Sequence, residues 1–183
     1  MKRRPSILLK CSAVLLAMLL PAACHNKPTG SVVADSHAPK EDKEAPFVEG
    51  NKRIIQLENE EMCLFISRYH WNMQQTGSGL YIEILDPGKG DLFEEGDEIT
   101  MSYKTFLLDG ELIYDSEHDG LKQFKVAKSP EIEALHEAVQ MLRPGAAARI
   151  VTPSYLAYGV AGDGDKVNGR MPLAVIFKIE ASS

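Results

Sequence analysis

The hydrophobic period changes at Gly79, and that change limits what this chain can fold into. From there Leu80, Ile82 and Ile84 alternate with Tyr81 and Glu83, and Asp86-Pro87-Gly88 closes the run as a strand would close. Ile99, Met101, Tyr103, Thr105 and Leu107 then share one face of a long strand, Asp109-Gly110 marks a hairpin, and Leu112 to Tyr114 returns. Further strands are predicted over Gln123–Val126, Ala146–Val151 and Leu173–Ile179. A single helical stripe interrupts them: Ile132, Leu135, Val139 and Leu142 recur at helical spacing within Pro130–Leu142, with Ser129 placed to cap and Pro130 at the first position. One helix among mostly antiparallel strands predicts an α+β domain over residues 79–183 with one core, at roughly 100 residues.

The residues before Gly79 obey other rules. Lys2, Arg3 and Arg4 start the chain, an apolar run from Ile7 to Leu20 follows, and Pro21-Ala22-Ala23-Cys24 ends it. The run is too short for a permanent bilayer span, so residues 1–23 read as an export signal. Small residues before a cysteine resemble a bacterial lipobox, which implies acylation of Cys24; ordinary secretion with cleavage nearby is the alternative. Residues 24–50 are rich in Pro, Ser, Gly, Ala and charge and read as a flexible tether. Residues 51–78 form an extension with a helix over Lys52–Trp71, Asn51 as its N-cap, and Ile55, Met62, Phe65, Ile66 and Tyr69 at helical spacing. That helix could pack on its own domain, pair with another copy or touch a client.

Cysteine usage and charge narrow the partners. Cys11 would leave with the signal and Cys24 would carry lipid, which leaves Cys63, read here as a buried small hydrophobe, and no intrachain disulfide. The formal net charge is −6, and residues 1–23 contribute Lys2, Arg3, Arg4 and Lys10 with no acid, so the remainder is more acidic still. Such a balance excludes nucleic acid as a partner but not a membrane reached through an acyl chain.

The strand Ala146–Val151 leaves through Thr152-Pro153-Ser154-Tyr155-Leu156-Ala157-Tyr158-Gly159. Proline ends the ladder and glycine frees the turn, which puts Tyr158 at a strand-to-loop junction. Upstream stand Ser102-Tyr103, Tyr114-Asp115-Ser116, Phe124 and the helix start Glu131-Ile132-Glu133-Ala134-Leu135; Phe177 lies on the last strand. In order and spacing these residues resemble the FKBP-type peptidyl-prolyl isomerases from Gly79 to Ala181. The resemblance implies a half-barrel sheet wrapped around one short helix. It also implies a pocket in which Tyr103, Tyr114, Asp115 and Tyr158 carry the chemistry and Phe124, Glu131, Ile132, Leu135 and Phe177 bind substrate. Tyr114 replaces a phenylalanine of the family pattern, Leu135 a tryptophan, Glu131 a valine, and Val167-Asn168-Gly169 an Ile-Pro-Pro.

Isomerising an Xaa-Pro bond needs no nucleophile, cofactor or metal. It needs a dry wall that favours a twisted, less polar amide, and a donor for the carbonyl. Tyr158 is the expected donor, Asp115 an orienting group, and the backbone N–H groups near Glu131 and Ile132 further donors. The implied clients are proline-containing exported polypeptides, and the implied location is an outer membrane facing a periplasm. The histidines His25, His37, His70, His118 and His136 lack metal-ligand spacing, and His70 and His136 read as surface or edge residues. Gly162-Asp163-Gly164-Asp165 lacks the later glutamate of a calcium loop. The oligomeric state is not legible.

Overall fold

The computed structural model describes residues 45–181; the expected signal, Cys24 and most of the expected tether lie outside them. The element order is α1 (Ala45–Arg68), β1 (Gln74–Gln75), β2 (Tyr81–Asp86), β3 (Glu98–Leu107), β4 (Leu112–Asp115), α2 (Ser116–Asp119), β5 (Lys122–Lys125), α3 (Glu133–Val139), β6 (Ala147–Thr152), a 3-10 turn (Ser154–Leu156) and β7 (Leu173–Ile179). The α+β expectation holds: the strands form one antiparallel sheet in the order β1-β2-β6-β7-β3-β4, with β5 also on β3.

The long strand β3 organises the site. One edge pairs with β7 from Met101 to Leu107. The other edge is shared: Glu98–Met101 pair with β5 and Lys104–Phe106 with β4. Tyr103 falls in the gap between these partners, where its N–H would be orphaned. The Ser116 hydroxyl accepts it at 3.1 Å. The core face of the sheet packs against α3. Ile99, Met101, Ala148, Ile150, Val175 and Phe177 share one buried cluster with Ile132, Leu135, Val139 and Leu142, as the four-residue stripe predicted, and with Ala138 beside them.

The helix in that stripe is shorter than expected. It spans Glu133–Val139, with Ile132 at the N-cap and no side-chain cap bond. Ser129 does not cap it: its hydroxyl accepts from Lys125 N–H at 2.8 Å and closes the turn after β5. Ile84, expected inside, is exposed: it still pairs in register with Ala148, but near the end of β2, immediately before the register with β6 shifts.

The extension also departs from its predicted bounds. Its helix starts at Ala45, inside the segment read as tether, so Asn51 lies within the helix rather than at its cap. It ends at Arg68, with His70 in the left-handed region (φ 53°), and Gln74–Gln75 pairs with β2 as a short strand. Met62 and Phe65 are buried on the outer face of the sheet against Leu108, Val151 and Ala174, whereas Ile55 and Tyr69 are exposed. Phe65, Tyr69 and Trp71 stack as an aromatic trio, and the Arg149 guanidinium, bonded to Glu83, lies 4.4 Å from the Trp71 ring centre. Cys63 is exposed, with its Sγ 3.4 Å from the Tyr81 hydroxyl, because the buried stripe runs along Met62 and Phe65 instead. Among the described residues, no helix is long and apolar enough to cross a membrane.

Candidate functional site

Six of the nine residues expected at the pocket meet in one cluster. Phe124 of β5, Ile132 and Leu135 at the start of α3, and Phe177 of β7 are buried together, and Tyr103 and Tyr158 pack against them, half-buried. Register accounts for part of this: Phe124 faces Ile99, and Phe177 faces Tyr103, across antiparallel pairs. Tyr114 lies in the adjoining cluster with Ile113, Leu107 and Val167, and Tyr158 belongs to both. A cleft of about 320 Å³ reaches Tyr103 and Phe177, together with Ser102, Lys104 and Ser116, and others of similar size lie away from the cluster. One of about 360 Å³ is lined by Asn72, Gln74, Ile82, Glu83 and Met141, so size does not mark this site.

The three tyrosines differ in what their hydroxyls do. Tyr114 donates to Asp163, with Asp165 at 3.3 Å. Among the described residues nothing accepts from the hydroxyls of Tyr103 or Tyr158, and no buried side-chain N or O atom lacks a partner, so both hydroxyls reach the surface as free donors. Burial, reinforced by the charges of Glu131 and Asp163 and by Tyr103, pushes the Tyr158 phenol up to about 12. Burial also raises Tyr103, with Asp119, Glu131 and Asp115 adding to it, and raises Tyr114, with the Asp163 hydrogen bond next in weight. All three therefore remain protonated near neutral pH.

Asp115 caps α2. Its carboxylate accepts from Glu117 N–H at 3.0 Å and pairs with Lys104 Nζ at 3.0 Å. The first contact, then the second, holds it below the usual carboxylate range. It touches the tyrosines only through space. It orders the β4–α2 corner that supplies Ser116 to Tyr103.

Glu131 sits differently from expectation. Its own N–H donates to Ser129 O at 2.9 Å, and its carboxylate accepts from Ile132 N–H at 2.9 Å and from Lys122 Nζ at 2.6 Å. The donors expected free at the helix start are thus occupied. The Glu131 and Lys122 side chains are only 13 % and 22 % exposed, and Lys122 also lies 5.0 Å from the Tyr103 ring centre.

Three residues at or beside the site were missed from sequence. His136, read as a surface or edge residue, is buried: Nδ1 accepts from Ala127 N–H at 3.0 Å, Nε2 lies 3.1 Å from Ser129 O, and the ring meets Phe124 edge-on. Asp163 accepts from the N–H groups of Asp165 and Val167 at 2.9 and 2.8 Å as well as from Tyr114, and so builds the loop after Tyr158. Burial alone would raise its carboxyl, but these hydrogen bonds outweigh it and hold the group low. Glu58 of α1 is bonded to Ser154. The helical position of His136 on the Ile132 side was the one available signal. Among the described residues, no group of three or more His, Cys, Asp or Glu side chains is placed to hold a metal ion.

The comparisons with known proteins agree with this geometry. The family model for FKBP-type peptidyl-prolyl cis-trans isomerase matches residues 90–181. The chain is 32 % identical over 107 residues to a probable FKBP-type peptidyl-prolyl cis-trans isomerase FkpA of Neisseria meningitidis, covering 58 % of this chain and 39 % of that protein. It is 32 % identical over 106 residues to an outer membrane protein MIP of Legionella longbeachae, covering 58 % of this chain and 44 % of that one. The chain thus spans less than half the length of either relative. In fold it is similar to FkpA from Escherichia coli (TM-score 0.61, 21 % identity, 75 % of this chain and 62 % of that one). It is also similar to a peptidyl-prolyl cis-trans isomerase from Pseudomonas syringae (TM-score 0.59, 24 % identity, 71 % and 93 %). On its sequence match from residue 90 to 181, which takes in β3 to β7, α3 and the Tyr158 turn, the chain belongs to the FKBP-type peptidyl-prolyl cis-trans isomerase family.

Proposed function

We propose that this chain catalyses cis-trans isomerisation of Xaa-Pro bonds in exported polypeptides, at the cluster formed by Tyr103, Phe124, Ile132, Leu135, Tyr158 and Phe177. The observation that carries this reading is their convergence: five separate segments bring an apolar wall and two free phenolic donors to one place. Rotation about a peptide bond breaks amide resonance against a barrier of about 18–20 kcal/mol. A wall that excludes water favours the twisted, less polar amide, and a hydroxyl such as that of Tyr158 holds the carbonyl. In this reading Asp115 orients, through Ser116 and Tyr103, and accepts no proton. No cofactor enters.

The site is carried to the cell envelope by the residues that precede α1. Residues 1–23 direct export, Cys24 takes the lipid, and the following segment spaces the domain from a membrane. Cys24→Ala should move the full chain from the detergent phase to the aqueous phase. Identical partitioning of both forms would refute the anchor.

A second reading has one observation in its favour. Glu131 occupies the Ile132 N–H and Lys122 closes over it, which suits a slow isomerase that works chiefly as a chaperone or binding module in envelope assembly. The deciding experiment is refolding of a protein limited by proline isomerisation, with wild type and Tyr158→Phe at catalytic concentration. Acceleration by the wild type, reduced about two- to tenfold in the variant, supports the enzyme. No acceleration, with aggregation still suppressed, supports the binding module.

A further inference from the structure

We propose that Glu58, on the helix that precedes the family's own region, is a positioning residue for the turn that carries Tyr158. The isomerase reading above gives this turn its importance; the hold itself is a matter of geometry. Glu58 is a carboxylate only 7 % exposed. Oε2 accepts from Ser154 N–H at 3.0 Å and Oε1 from the Ser154 hydroxyl at 2.7 Å, so both oxygens are spent on one residue, itself buried. A buried carboxylate persists only where its oxygens are paired, and here the pairing is with neutral donors at a single point.

Ser154 then passes the constraint on. Its carbonyl accepts from Ala157 N–H at 3.0 Å and from Gly159 N–H at 2.8 Å, the two residues that flank Tyr158. Gly159 adopts φ 63°, which closes the turn at little strain for a residue without a Cβ. The phenol of Tyr158 is thus hung between two N–H groups that share one acceptor, and that acceptor is pinned by α1. The rest of α1 does not make this contact: Met62 and Phe65 hold the helix to the sheet, and Asn59 receives the Tyr81 hydroxyl at 2.9 Å. Glu58 is therefore not needed to dock the helix, and its two bonds constrain the turn.

The experiment compares Glu58→Ala, Glu58→Gln, Ser154→Ala and the double variant Glu58→Ala/Ser154→Ala in the full chain. Amide hydrogen exchange reads the turn at Ala157 and Gly159, with Ile179, bonded to Ala146 O at 2.8 Å, as the core reference. Peptide isomerisation gives kcat and KM beside it. Glu58→Ala is expected to speed exchange at Gly159 about tenfold and leave Ile179 unchanged. It should lower kcat about three- to tenfold, more than it changes KM, since Tyr158 is displaced rather than lost. Glu58→Gln, whose amide oxygen still accepts one bond, should recover at least part of both effects. Ser154→Ala should add nothing once Glu58 is gone. If Glu58→Ala fails to fold, the Gln variant carries the same comparison at intermediate size. Unchanged exchange at Gly159, equal acceleration at Ile179, or additive effects in the double variant would overturn the proposal. A wild type without isomerase activity would refute the functional reading alone, because the exchange comparison still decides whether Glu58 holds the turn.

Discussion

Replacing Glu131 with alanine should have two effects of opposite sign. The carboxylate accepts from Ile132 N–H at 2.9 Å and from Lys122 at 2.6 Å, with side chains 13 % and 22 % exposed. Removing one partner of a fully buried pair costs about 3–5 kcal/mol, whereas an exposed pair is worth about 1 kcal/mol or less. Lys122 keeps a fifth of its surface and a long stem, so it can turn its ammonium to water, and the expected loss is about 1–2 kcal/mol. For a domain of this size that lowers Tm by about 4–10 °C. The same change frees the Ile132 N–H beside Leu135 for a substrate carbonyl. One net hydrogen bond of about 0.5–1.5 kcal/mol corresponds to a two- to tenfold gain in kcat/KM. The assay is isomerisation of an Ala-Xaa-Pro-Phe peptide series, with thermal melts on the same samples. Glu131→Gln keeps an acceptor for Ile132 and should show the stability loss without the gain. A folded Glu131→Ala variant with kcat/KM unchanged or lower would refute the reasoning, and would mean that the carboxylate is not in the substrate's way.

Tyr114→Phe removes the hydroxyl that holds Asp163, and should cost about 1 kcal/mol with less than a threefold change in rate; a larger loss of rate than of stability would make Tyr114 a direct donor. His136→Ala orphans the Ala127 N–H and loosens Phe124, so a stability loss of about 2–3 kcal/mol is expected in denaturant melts, and a loss under 0.5 kcal/mol would count against the role given to the ring. The Tyr158 phenol is raised to about 12 in the folded chain against about 10 unfolded, so the stability it contributes is full below pH 10 and is lost as pH rises towards 12. Asp115 and Asp163 are depressed, so what they contribute is present above about pH 4 and is lost as pH falls below it. Activity that needs the Tyr158 proton should be flat from pH 7 to 9; a fall centred below 9 would contradict that assignment.

The sheet, the α3 stripe and the aromatic cluster were legible because they rest on periodicity and order. Ile132, Leu135, Val139 and Leu142 fall on one side at helical spacing, although only Leu135 and Val139 lie within the helix itself, and Tyr103 and Phe177 share a face because the β3–β7 register pairs them. What escaped the sequence are contacts between a polar side chain and a distant backbone. Glu58 reads as one more acid on a polar helix face until the sheet brings Ser154 beneath it. His136 reads as an edge residue until the turn at Ala127 presents an N–H to it. Glu131 was noticed as a departure from the family pattern. Its capture of the neighbouring N–H depends on a side-chain torsion that no spacing encodes. The helix of the extension was placed, but its start at Ala45 was not: the surrounding Pro, Ser, Gly and charge read as tether, Pro46 falls in the first turn where proline suits a helix start, and the helix runs through Gly50 regardless.

The most direct measurement is exchange NMR of a proline peptide with substoichiometric full-length protein, recorded for wild type, Tyr158→Phe and Glu131→Ala. The account predicts cis–trans exchange cross-peaks that are absent without protein, weaker with Tyr158→Phe and stronger with Glu131→Ala. Peptide that binds without exchange, or equal cross-peaks from all three proteins, would contradict the claim that the cluster around Tyr158 catalyses prolyl isomerisation.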